Sequence, residues 1–108
     1  MSDYLLIASR DPSEAGEARH TYALAGELAG RGHAVTLFLV QNAVLPARFG
    51  AKADGLDAAL AKGVTVLADS FALRERGIPN HRLISGVHAA PLETVIDRMA
   101  DGCKALWH

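Results

Sequence analysis

Short apolar segments of strand length alternate with segments of helical periodicity along this chain, and this alternation constrains the fold most. Residues 4–8 and 34–40 are almost continuously apolar, as is typical of strands that are buried on both faces of a sheet. Residues 64–68 repeat the pattern, a weaker signal surrounds Val87, and residues 104–107 follow as a final strand. Strands joined through helices form right-handed crossovers and run parallel. We therefore predict a three-layer α/β sandwich with a central, mainly parallel sheet of about five strands and helices on both faces.

The segments between the strands predict the helices and one long loop. The first helix is expected to begin near Pro12 and to end at Gly32, because Tyr22 and Ala25 belong to a stripe of apolar residues spaced by three and four. Residues 41–55 contain a proline and two glycines and are predicted to form a long loop. The later helices are predicted between Leu56 and Gly63, between Asp69 and Arg76, and between Pro91 and Gly102. No repeat or linker divides the chain, so we expect one domain over residues 1–108.

Charge and apolar segment length exclude several classes of partner. Lys and Arg total 11 against 12 Asp and Glu, a net charge of −1, so the chain lacks the basic surplus that binds the backbone of nucleic acids. No apolar stretch approaches the roughly 20 residues of a membrane-spanning helix. The first residues do not resemble a signal peptide, and Cys103 is the only cysteine. We expect a cytoplasmic protein that binds neither nucleic acid nor a membrane.

The sequence contains no motif for a common cofactor or metal. A Walker A loop needs glycines in the turn after a strand, but the first turn has no glycine before Gly16. A Rossmann turn is excluded too, because Gly26 and Gly30 fall within a predicted helix. The five histidines form no pair spaced by four residues on one helix and have no cysteine beside them. We therefore predict no cofactor and no metal.

Polar residues follow the predicted strands at the points where those strands end. Asp11 follows the first strand, Asn42 follows the second, and Asp69 and Ser70 follow the third. Parallel sheets bind ligands beyond the carboxyl ends of their strands, so these four are the predicted binding residues. A second interpretation stays open for Asp11 and Asp69, because a carboxylate in a turn can instead accept hydrogen bonds from the backbone N–H groups of a helix start.

Cys103 is the only residue with a side chain suited to nucleophilic sulfur chemistry. A reactive thiol needs a pKa that is lowered by a helix N-terminus or a neighbouring cation. Cys103 instead follows the end of a predicted helix, where the helix dipole raises the pKa of a thiol, and Lys104 partly opposes that effect. Cys103 is therefore either a catalytic residue or a buried structural cysteine.

Four segments of the chain, residues 4–12, 32–44, 63–78 and 95–108, form a recognisable pattern. The most specific is 63–78, in which Gly-Val-Thr-Val precedes Ala-Leu-Arg-Glu-Arg-Gly-Ile. Together the segments resemble the DsrE/DsrF-like family, a sulfur-relay family with the YchN-like fold. The resemblance covers nearly the whole chain and implies an α/β fold with a central, mainly parallel sheet. It also implies an oligomer, either a dimer, a trimer or a hexamer.

The resemblance carries an expectation about chemistry as well. Well-understood members of the family pass persulfide sulfur between proteins through a cysteine just before the Ala-Leu-Arg segment. Ser70 and Phe71 occupy that place here, and neither an alcohol nor a phenyl ring forms an S–S bond. By the same resemblance, the cleft of the family would be lined by Asp11, Asn42, Asp69 and Ser70.

We therefore expect a DsrE-like sulfur-trafficking or accessory ligand-binding protein that lacks the usual sulfur-carrying cysteine, rather than a turnover enzyme. Its expected partners are further copies of the chain and a sulfur-relay protein. The alternative is a non-catalytic structural or regulatory subunit of an oligomeric complex. The apolar residues predicted to form its interface are Val44, Leu45, Phe49, Leu106 and Trp107. A third alternative is an enzyme in which Asp11 and Asp69 divide the acid and base roles.

Overall fold

The computed structural model describes residues 3–9, 17–48, 50 and 55–107. The strands in these residues are β1 (Asp3–Ala8), β2 (Ala34–Leu39), β3 (Thr65–Asp69), β4 (Val87–Ala90) and β5 (Lys104–Trp107). The helices are α1 (Glu17–Gly30), α2 (Leu56–Ala61), α3 (Ser70–Glu75) and α4 (Glu93–Ala100). Two 3-10 helices span Gln41–Ala47 and Asn80–Arg82. Strands and helices thus alternate as the sequence predicts.

The five strands form one parallel sheet in the order β4-β3-β2-β1-β5. In the middle of the sheet Leu6 pairs with Leu37, and Leu37 pairs with Val66. The last strand lies at an edge beside β1, with Tyr4 opposite Lys104. The predicted α/β fold with a parallel central sheet is therefore confirmed.

Each face of the sheet carries its own apolar cluster, because successive side chains of a strand point to opposite faces. On the first face, Leu37 and Val66 are covered by α1, α2, α3 and the first 3-10 helix. On the second face, Ile7 and Phe38 pack against Val95 of α4. Helices therefore cover both faces as predicted, but α4 is the only described helix that contributes to the second cluster.

The long first helix packs and ends as the sequence predicts. Tyr22 and Ala25 of its apolar stripe are fully buried in the first-face cluster. Gly32 has a φ of 91°, a conformation that costs glycine little. The backbone N–H of His33 donates to the carbonyl of Leu28 at 3.2 Å, which closes the helix end.

Residues 41–47 differ from the prediction of a loop. They form a 3-10 helix in which Ala43, Val44 and Ala47 are completely buried in the first-face cluster. Pro46 lies inside this helix, and its missing N–H is tolerated because a helix this short has few internal hydrogen bonds to lose. Small apolar side chains let the segment pack closely against the sheet, so burial overrides the loop signal.

The residues that the sequence proposed for an interface divide into three groups. Val44 is completely buried in the core and is not available to a partner, so the prediction is wrong for this residue, whereas Leu45 packs against the core and is only partly buried. Leu106 and Trp107 lie in the edge strand β5. Phe49 lies outside the described residues. Across the parts of the chain that the structure covers, no helix is both long and apolar enough to cross a membrane.

Candidate functional site

The ends of β2 and β3 bring three of the four predicted binding residues to one edge of the sheet. Leu39 and Ala68 pair near the carboxyl ends of these neighbouring strands. Asn42 follows β2, Asp69 is the last residue of β3, and Ser70 is the first residue of α3. We call this the carboxyl edge of the sheet.

The fourth predicted residue, Asp11, lies outside the described residues. Ser70 and Phe71 occupy the place of the sulfur-carrying cysteine that the resemblance implies, at the start of α3. Ser70 is half-buried, whereas the ring of Phe71 is 57% exposed. This place is therefore accessible from solvent but offers a hydroxyl group and a phenyl ring instead of a thiol.

Asp69 acts as the N-cap of α3. Its Oδ2 accepts a hydrogen bond from the backbone N–H of Ala72 at 3.2 Å, and its backbone is extended with φ −60° and ψ 122°. This geometry supports the capping interpretation of Asp69 for one of its two carboxylate oxygens. Its Oδ1 accepts no hydrogen bond from the described residues.

Replacing Asp69 with alanine is expected to lower the free energy of unfolding by about 1 kcal/mol, because an orphan N–H of the first helical turn loses its acceptor. Asp69→Asn keeps a capping oxygen and is expected to stay within a few tenths of a kcal/mol of the wild type. Urea unfolding followed by circular dichroism measures both values. Equal losses in the two variants would contradict a capping role.

Arg76, the residue directly after α3, is held by hydrogen bonds to a distant part of the chain. The guanidinium of Arg76 donates from Nε at 3.1 Å and from Nη2 at 3.0 Å to Oδ1 of Asn42. Its Nη1 donates to the carbonyl of Ala72 at 3.3 Å. The nearest carboxylate oxygen, in Glu75, is 4.0 Å from Nη1. Asn42 therefore holds Arg76 across the carboxyl edge, and Arg74 stays exposed.

A glycine directly after Arg76 makes this orientation possible. Gly77 has a φ of 65° and turns the chain out of α3. The next residue, Ile78, donates its backbone N–H to the carbonyl of Leu73 at 2.9 Å and is nearly buried. One feature of the sequence indicates a role for Arg76, namely an arginine directly before a glycine at a helix end. A cation at that position interacts favourably with the last carbonyl groups of the helix.

Beside Arg76 lies a cavity of about 290 Å³ that we call the arginine cavity. It is lined by Arg48, Arg76, Gly77, Ile78 and Arg82. Two backbone contacts bring its walls together: an antiparallel bridge between Arg48 and Leu83, and a 2.9 Å hydrogen bond from Ile84 to Ala47. Sequence reasoning missed this cavity because its walls come from three separate segments.

Cys103 lies at the opposite edge of the sheet, directly before the first residue of β5. Its thiol is half-buried against the second-face cluster. Burial raises the pKa of this thiol, the charge of Asp3 raises it further, and Arg98 lowers it in part. The opposing cation is thus Arg98 rather than the predicted Lys104. The structure does not bring Cys103 together with Asn42, Asp69 or Ser70.

The side chains that commonly bind metal ions do not cluster in the part of the chain that the structure describes. Nowhere in residues 3–9, 17–48, 50 and 55–107 do three or more His, Cys, Asp or Glu side chains group closely enough to hold an ion.

Solved structures share this fold over all or nearly all of their length. The YchN protein from E. coli has a TM-score of 0.90 and 23% identity, and the match covers 100% of both chains. A protein of unknown function from Methanobacterium thermoautotrophicum has a TM-score of 0.72 and 20% identity over 98% of this chain and 100% of that one. A conserved protein of unknown function from Bacteroides thetaiotaomicron has a TM-score of 0.71 and 17% identity, over 98% and 95%. No family model and no curated protein matches the chain.

Proposed function

We propose, from the YchN-like α/β fold of this chain, that it is a DsrE-like accessory protein that binds a small ligand at the carboxyl edge of its sheet. In this proposal it serves a sulfur-relay system in the cytoplasm without carrying sulfur on a cysteine of its own. The observation that carries the proposal is the separation of Cys103 from the carboxyl edge, with Ser70 and Phe71 in the place of a carrier cysteine.

A sulfur carrier needs a thiolate that a donor protein can reach. Cys103 is half-buried, and its raised pKa keeps the thiol protonated at neutral pH. Asp69 and Ser70 are half-buried as well, but they lie at the edge where ligands of parallel sheets bind. These two facts favour ligand binding over sulfur transfer.

Incubating the protein with a small-molecule persulfide donor is expected to leave its intact mass unchanged, because Cys103 offers little thiolate. The positive control is Ser70→Cys in a Cys103→Ala background. That variant places a thiol at the first position of α3, where a helix start lowers the pKa of a cysteine, and is expected to gain one sulfur. In this gain the outer sulfur of the donor moves to the thiolate, and the donor leaves as a thiol.

Intact-mass spectrometry distinguishes the outcomes. A gain of one sulfur on the wild type that reductant reverses, and that Cys103→Ala abolishes, would make Cys103 a carrier and overturn the proposal. If the Ser70→Cys variant gains no sulfur under conditions in which a small-molecule thiol does, the result would count against a DsrE-like sulfur site at the carboxyl edge.

A second candidate function is that of an assembly subunit, and the exposed side of α4 favours it. Leu92, Ile96 and Met99 are spaced by four and three residues and are 55%, 59% and 54% exposed. The first turn of α4 contains the acidic Glu93 and the last turn the basic Arg98. Two copies of α4 packed antiparallel about a two-fold axis would bury these apolar residues and set opposite charges side by side. We therefore propose that the occupant of this surface is a second copy of the chain.

A further inference from the structure

We infer that the arginine cavity binds a phosphate group, or another tetrahedral oxyanion, of a small molecule. This inference rests on the proposed function, because it names the chemical class of the ligand at the carboxyl edge. It concerns three arginines, Arg48, Arg76 and Arg82, of which the sequence analysis assigned none to a binding site.

The charge of the cavity is the first argument. Its lining carries three guanidinium groups and no carboxylate among the described residues, although the whole chain has a net charge of −1. Within the described part of the chain, Arg48 and Arg82 form no ion pair, and the pair of Arg76 with Glu75 is long at 4.0 Å. Three cations that share one concavity repel one another, Glu75 offsets only the charge of Arg76 from 4.0 Å, and an anion between the three relieves the repulsion.

The available donors are the second argument. A guanidinium has five N–H donors, and Arg76 uses Nε, one N–H of Nη1 and one of Nη2 on Asn42 and Ala72. It retains one N–H on each terminal nitrogen. Arg48 uses its Nε on the carbonyl of Leu45 at 2.8 Å and retains both terminal nitrogens. These bonds hold the two guanidinium groups in place before a ligand arrives, so less side-chain entropy is lost on binding.

The volume of the cavity and the apolar residue in its lining indicate what the ligand contains besides the anionic group. Its volume of about 290 Å³ equals the share of about ten water molecules in the liquid, at about 30 Å³ each. That is more than one tetrahedral oxyanion fills, and the side chain of Ile78 adds an apolar contact. A phosphate carries up to two charges and several acceptor oxygens, which suits three arginines that line one cavity better than a single carboxylate does. The ligand class is thus a small phosphate ester.

The experiment is calorimetric titration of the full chain with inorganic phosphate and with glycerol phosphate, against sodium chloride at equal ionic strength. Both phosphates are expected to bind, whereas chloride is not, and glycerol phosphate is expected to bind more tightly if the ester part contacts Ile78. Arg82→Gln is expected to weaken phosphate binding about tenfold, because one charge-assisted contact is lost. Since Arg82 is exposed and makes no side-chain hydrogen bond among the described residues, its replacement does not threaten the fold.

The matched control is Arg74→Gln, which removes the same charge from α3 at an exposed position outside the cavity. It is expected to leave phosphate affinity within twofold of the wild type. Absence of phosphate binding by the wild type, or equal weakening by Arg74→Gln and Arg82→Gln, would overturn the inference. Neither result affects the proposed function, which the persulfide experiment on Cys103 tests on its own. The two proposals can therefore fail independently of each other.

Discussion

Replacing Phe38 with alanine is expected to lower the free energy of unfolding by about 3–5 kcal/mol. Phe38 lies on β2 in the interior of the sheet, between Ile7 on one side and Leu67 on the other, and its side chain is completely buried. Removing the ring loses its transfer free energy and leaves a void against α4 that the parallel strands cannot close. A domain of this size has only about 5–15 kcal/mol in total, so a large part of the protein's stability would be lost.

Phe71→Ala is the control for this prediction, because it makes the same chemical change at a position that is 57% exposed. Its effect is expected to stay within about 0.5 kcal/mol. Urea unfolding curves followed by circular dichroism give both free energies. A loss below 1 kcal/mol for Phe38→Ala would mean that α4 does not pack firmly on the second face.

Replacing Ile96 with glutamate is expected to convert the protein from an oligomer to a monomer. Ile96 lies in the middle of the exposed apolar side of α4 and is 59% exposed in the single chain. In a two-fold contact the same residue enters from both copies, so the variant places two carboxylates together in a desolvated interface. Because the side chain is exposed in the single chain, the fold itself is expected to keep its stability.

Light scattering coupled to size-exclusion chromatography measures this change in mass. The two-fold contact through α4 makes a dimer, so the wild type is expected to elute at twice the chain mass and Ile96→Glu at the chain mass. Ala58→Glu, which adds the same charge to an exposed position on α2, is expected to remain oligomeric. A wild type that is already monomeric, or an Ile96→Glu variant that stays oligomeric, would contradict assembly through α4.

The strands were predictable because their signal is local and strong. Residues 4–8 and 34–40 are apolar except for Thr36, and a strand that is buried on both faces has no polar face to show. The end of α1 shortly before Gly32 was predictable for a similar reason, since one glycine permits the left-handed turn. The segment 41–47 was not, because Pro46 and the polar Gln41 indicate a loop, and only the packing of its alanines against the sheet makes it helical.

In the candidate site, too, residues with a local signal in the sequence could be predicted and residues that depend on long-range contacts could not. Asn42, Asp69 and Ser70 could be assigned to one edge because the direction of parallel strands determines where their ends meet. The role of Arg76 could not be predicted, because its partner Asn42 is 34 residues away in the chain. No periodicity within α3 distinguishes Arg76 from the exposed Arg74, so only the tertiary contact separates the two.

The pairing of β5 with β1 has a consequence for how the protein is made. Tyr4 and Lys104 come from opposite ends of the described chain, yet they lie opposite each other in the sheet. During synthesis on the ribosome, the outer side of β1 has no partner until β5 has emerged from the exit tunnel. Until then the nascent chain presents an unpaired strand edge, and such an edge invites pairing with other chains. Completion of the sheet therefore waits for β5, the last of the described strands.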